Sequence, residues 1–71
     1  MAKHTADDFT QDEYGQLAEL ARGVYWARSL FHGALEVIQQ LYPKMVFLEQ
    51  ERLARRVAAI TRAQLRQGRS P

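Results

Sequence analysis

In "FHGALEV", His32 and Glu36 stand four residues apart, a spacing that would set an imidazole and a carboxylate on one helical face as metal ligands do. Two ligands hold a metal poorly, and the nearby Arg28 and Gln39 add no metal affinity, so the pair reads as a surface contact. His4 lies in the polar opening of the chain. Ser29 and Ser70 have no aspartate–histidine partnership in reach of the sequence, cysteine is absent, and Gly15, Gly23 and Gly33 are too far apart for a phosphate-cradling loop. These residues predict no enzyme, no metal, no cofactor and no small-molecule ligand.

A second chemistry is phosphate binding. Arg52, Arg55, Arg56, Arg62 and Arg66, with Arg69 beyond them, gather on one face of a helical pattern and would make a cationic stripe. Glu49 and Glu51 open the same helix, and a solvated arginine face with long apolar stems is common on short bundle helices. Nucleic-acid binding is therefore the alternative rather than the first expectation. A helix-turn-helix register with its turn at Gly23 fails, because it sets Glu19 and Ser29 where small and aliphatic residues must pack.

Protein binding is the third. In "VYWARSLFHGALEV", Trp26, Leu30, Gly33 and Val37 fall on one helical strip with Tyr25 at its flank. Trp and Tyr give large contact area at low entropic cost and lead the residues that anchor interfaces. The strip is expected either to bind a foreign protein or to serve as a dimer seam.

The elements that must position these residues are helical. Thr10-Gln11-Asp12-Glu13 fits a capping box, with Phe9 and Tyr14 placed for a hydrophobic staple; Thr5-Ala6-Asp7-Asp8 offers a weaker start. Apolar residues then recur at 17, 20, 24, 27, 31, 34, 38 and 41, a heptad seam that predicts one helix over 10–41, bent near Gly33. Pro43 ends it, and the chain turns at 42–44. A second helix over 45–67 carries two apolar stripes, and residues 1–8 and 68–71 are expected to be disordered. The core or dimer seam is assigned to Leu20, Val24, Phe31, Ile38, Leu41, Leu53, Val57 and Ile60, with Met45 to Leu48 packing at the closed end. A kinked rod swapped into a partner chain is the alternative to this antiparallel hairpin.

Charge supports the hairpin. Residues 1–42 hold three basic and six acidic residues, a net −3; residues 43–71 hold seven and two, a net +5. Such halves attract when they lie side by side. Seventy-one residues, 46% of them apolar, make a single all-α domain that buries only about 60% of its unfolded surface. Two helices cannot bury two seams each, whereas two hairpins can, so a homodimeric four-helix bundle is predicted. No segment reads as a signal peptide or approaches the roughly 18 apolar residues of a membrane span, which predicts a cytoplasmic protein with no membrane partner.

In size, arginine content and hairpin plan the chain resembles the small helical inhibitors encoded by phages and plasmids. Among these are anti-activators of quorum-sensing transcription regulators and, more distantly, anti-CRISPR proteins. The resemblance lies in architecture and carries no motif or residue. It implies inhibition of one host protein, such as a transcription regulator, by direct binding. A nucleic-acid-binding dimer and an assembly subunit of a larger complex are the alternatives.

Overall fold

Two threonine caps open the chain. In the computed structural model, which describes residues 3–24 and 27–68, Thr5 begins a 3-10 turn, Ala6–Asp8, and Thr10 begins helix α1, Gln11–Arg22. The Thr10 hydroxyl accepts from the Glu13 N–H at 3.2 Å, and the Glu13 carboxylate accepts from the Thr10 N–H at 2.8 Å. The Phe9 and Tyr14 rings stand 6.3 Å apart across this start, as a staple requires. Residues 3–8 were expected to be disordered; instead the 3-10 turn packs on the last helix and buries Ala6 completely.

The long helix expected over 10–41 is two helices. Helix α1 ends at its C-cap Gly23, and α2, Leu30–Leu41, starts afresh behind Ser29. Ser29 has φ −155° and ψ 169°, an extended backbone that no helix can run through, and its hydroxyl accepts from the His32 N–H at 3.2 Å. The break lets α1 fold back onto α2. Gly33 lies where they meet: a side chain there would touch the Ala21 carbonyl at 3.4 Å and the Val24 Cβ at 3.5 Å. The backbone that approaches this glycine thus comes from the same chain.

Pro43 occupies a turn closed by the Met45 N–H donating to the Tyr42 carbonyl at 3.1 Å. The buried Gln50 side chain donates to that same carbonyl at 3.0 Å, fastening the turn to α3, Phe47–Gly68. Tyr42 lies by Gln50 at one end and Phe31 by Arg55 further along, so α2 and α3 run in opposite directions. Each of the three helices packs against the other two.

The core is built largely of small residues. Ala6, Ala18, Ala34 and Ala54 are fully buried with Ile38, Leu53 and Val57, and Leu17, Phe9 and Met45 close its edges. Burying Ile38, Leu53 or Val57 contributes about 1.5–3 kcal/mol each. Thr61, also buried, donates its hydroxyl to the Val57 carbonyl at 2.9 Å and so leaves no unmet polar group. Phe31 and Ile60 pack against this core from its margin, and Val24 is half-buried. Leu20 and Leu41, assigned to the core or dimer seam, lie outside the core of the single chain, being 52% and 50% exposed. Both were read from one uninterrupted seam, and each lies near the end of its own short helix.

Candidate protein-binding surfaces

The arginines of α3 share one broad face, and its two flanks differ in what they meet. On the first, Arg52 donates to both Glu49 oxygens at 2.9 Å and lies 3.7 Å from Asp7, while Arg56 pairs with Asp7 at 2.9 Å. Arg56 also donates to the Tyr14 hydroxyl at 2.9 Å, and that hydroxyl donates to the Ala6 carbonyl at 2.7 Å. The Ala6 N–H completes the arrangement by donating to Glu49 at 3.0 Å. Residues 3–9 are thereby strapped along this flank. The Ala6 N–H, then Arg52, hold the Glu49 carboxyl below its usual range; the Tyr14 hydroxyl, then Asp7, push Arg56 upward.

On the second flank Arg55 lies over the Phe31 ring, 5.9 Å from its centroid. Phe31, Glu51, Arg55, Ala58, Ala59 and Arg62 line a groove of about 510 Å³ between α2 and α3. Arg62 and Arg66 are exposed, and among the described residues neither they nor Arg55 reach a carboxylate.

Tyr25 and Trp26 lie outside the described residues. The rest of the strip assigned to partner binding turns inward: Gly33 is buried against α1, Val37 packs on the core, and Leu30 is half-buried. Leu30 lines a cleft of about 370 Å³ with Ala21, Val24, Ala27 and Leu65. Gly33 and Leu30, at least, lie beside α1.

The sequence-level reading missed the apolar end. Met45 is buried as expected at the closed end of the α2–α3 turn, but Val46, Phe47 and Leu48 are 63%, 55% and 63% exposed, and Leu41, before the turn, is 50% exposed. Beside them Lys3, His4 and Lys44 rim a hollow of about 440 Å³ floored by Leu41, Tyr42, Pro43 and Met45. The signal for an exposed end was "MVFL" itself, four apolar residues in a row where a helical stripe can bury only some of them.

His32 finds its partner in Ser29, whose hydroxyl is 2.8 Å from Nδ1, and its ring meets Phe31 edge-on at 5.5 Å. Among the described residues no three His, Asp or Glu side chains gather as metal ligands, and no helix is long and apolar enough to cross a membrane. No family model matches the chain, and neither does any curated protein or solved structure.

Proposed function

We propose that the chain is a non-enzymatic protein-binding module, a cytoplasmic homodimer that inhibits a host protein such as a transcription regulator by direct contact. The observation that carries this reading is the apolar end, where Leu41, Val46, Phe47 and Leu48 are all at least half exposed around one turn. Single apolar residues scattered over a surface are ordinary; several together at one end of so small a chain mark a surface that another protein covers. Phe47 supplies the aromatic area that such contacts favour.

In this proposal a second copy covers the end. The reason for the dimer differs from the one the sequence suggested. With α1 folded onto α2, the chain has a core of its own, and a second copy is needed for the end instead of for an unfilled seam. The remaining surface of the dimer meets the target, in keeping with the phage and plasmid inhibitors that the chain resembles. A nucleic-acid reading draws on Arg55, Arg62 and Arg66, which have no ion-pair partner among the described residues, but Asp7 and Glu49 already engage Arg52 and Arg56 and shorten the stripe.

The test joins light scattering to affinity capture from nuclease-treated lysate. The chain is expected to have a dimer's mass and to retain one host protein in stoichiometric amount, and Phe47→Glu to be a monomer with capture reduced at least tenfold. A monomeric chain that retains only nucleic acid, and only when nuclease is omitted, overturns the proposal in favour of the arginine stripe.

A further inference from the structure

We propose that the groove between α2 and α3, on the flank away from α1, seats an acidic amphipathic helix of the target protein. This rests on the protein-binding reading and deepens it by naming the chemistry of the partner.

The topology leaves one such seat open. On α2, Leu30, Gly33 and Val37 share the flank that receives α1; Phe31 and Leu35 lie roughly 150° round on the opposite flank. The α2–α3 pair thus has two long grooves, and α1 fills one. The other is floored by the half-buried Phe31 and the buried Ala58, with the exposed Ala59 at its edge. Alanines let a helix axis approach to the 8–10 Å of close helix packing.

The rim states the charge of the occupant. Arg55, Arg62 and Arg66 follow one line along α3 over eleven residues, roughly 16 Å of helix; among the described residues none of the three is ion-paired, and the single acid in the lining, Glu51, one turn before Arg55, leaves the rim net positive. A helix with apolar residues on one face and Glu or Asp along its edge matches both floor and rim. The molecule contains a smaller version of the same contact. On the other flank of α3 the 3-10 turn presses Ala6 into the core and offers Asp7 to Arg52 and Arg56. An acidic helical turn with an apolar foot is what this helix already binds.

The probe is a labelled synthetic peptide with leucines on one helical face and glutamates along its edges, titrated against the full chain by fluorescence anisotropy. Its lysine-substituted twin and a short DNA duplex serve as controls. The glutamate peptide is expected to bind and the lysine twin not. Arg55→Glu with Arg62→Glu, and separately Ala59→Trp to fill the groove, should each weaken binding at least tenfold, with helicity by circular dichroism unchanged. Lys44→Glu, outside the groove, should leave it within twofold. Overturning results are no binding of the glutamate peptide at about 1 mM, equal binding of both peptides, or DNA binding tighter than the peptide with the same variant sensitivity.

Lysate capture separates the two claims. If the wild-type chain retains a host protein and the double arginine variant retains as much, the groove assignment fails while the protein-binding reading stands. If the wild-type chain retains none, the reading itself fails. A dimer disrupted by the groove variants, but not by Phe47→Glu, overturns the assignment by naming a second copy's acidic α1 as the occupant.

Discussion

On one flank of α3, Arg52 and Arg56 meet Asp7 and Glu49 from within the chain; on the other, Arg55, Arg62 and Arg66 meet no carboxylate among the described residues. The first flank is closed by a strap whose apolar residues, Ala6 and Phe9, are buried beneath it. The second is an open groove lined by an aromatic and two alanines. The same side chain therefore has carboxylate partners on one side of a helix and, on the other, only the contact of Arg55 with the Phe31 ring among the described residues. Exposed ion pairs contribute little to stability, so the strap is held by its buried Ala6 and Phe9 at least as much as by its charges. An open groove with the same kind of rim lacks the apolar foot that would fill it.

The comparison breaks most severely when the helix that carries both flanks is undermined. Leu53→Ala removes a fully buried side chain from the first half of α3 and should cost about 2–5 kcal/mol, read as a lower urea midpoint. Both flanks should be lost together, with strap and groove melting in a single transition. A milder change should separate them. Gly33→Leu forces a side chain against Ala21 and Val24, where even a Cβ would be in contact, and should cost about 1–3 kcal/mol by overpacking. Its effect belongs to α1, so amides of α1 should lose exchange protection while the second half of α3 keeps it. Uniform loss along the chain would show that α1 is not an independent cover.

Gly15→Ala works in the opposite direction and by less. Nothing lies within 4 Å of a Cβ at Gly15 in the interior of α1, so the change should stabilise the chain by roughly 0.5–1 kcal/mol through helix propensity alone. Thermal melting should show the gain without any change at the groove.

How much of this division could be read in advance depended on the range of each interaction. The Thr10 cap, the Phe9–Tyr14 staple and the reversal at Pro43 are local and were legible, as were Ile38, Leu53 and Val57 as core. The gap between α1 and α2 was signalled by Gly23 at a helix end and Ser29 before Leu30. Those signals were outweighed because the apolar spacing continues unbroken across them. Spacing records which residues seek burial and not whether the backbone between them stays helical. The arginine flanks were hidden for a different reason. A helical wheel places Arg55 and Arg56 on one solvated face; the return of an N-terminal turn, over forty residues away in sequence, brings Asp7 to Arg56 and leaves Arg55 without an ion pair. Trp26, the strongest sequence argument for an interface, lies outside the described residues, while the exposed end came from a run of apolar residues that had been assigned inward.

The finest test of the two flanks is acid. Glu49 is held below the ordinary carboxylate range by the Ala6 N–H and Arg52, Glu13 by Lys3 and the Thr10 N–H, and Asp8 by the Thr5 and His4 N–H groups. A carboxyl whose pKa is depressed in the folded chain favours that fold at neutral pH, and its contribution is lost as the pH falls through the depressed value. All three belong to the strap and its junction with α1. Acidification below the ordinary carboxylate range should therefore release residues 4–9 from α3 before the core melts. Amide exchange should show those residues opening while residues 53–61 stay protected. Asp7→Asn should loosen the strap already at neutral pH, since it weakens the charge contacts to Arg52 and Arg56 but leaves the Ala6–Glu49 and Lys3–Glu13 hydrogen bonds in place. If acid instead opens strap and core at one pH, the strap is part of the cooperative fold. Arg52 and Arg56 then could not be uncovered without unfolding the chain, and the open groove would be the only arginine flank a partner can reach.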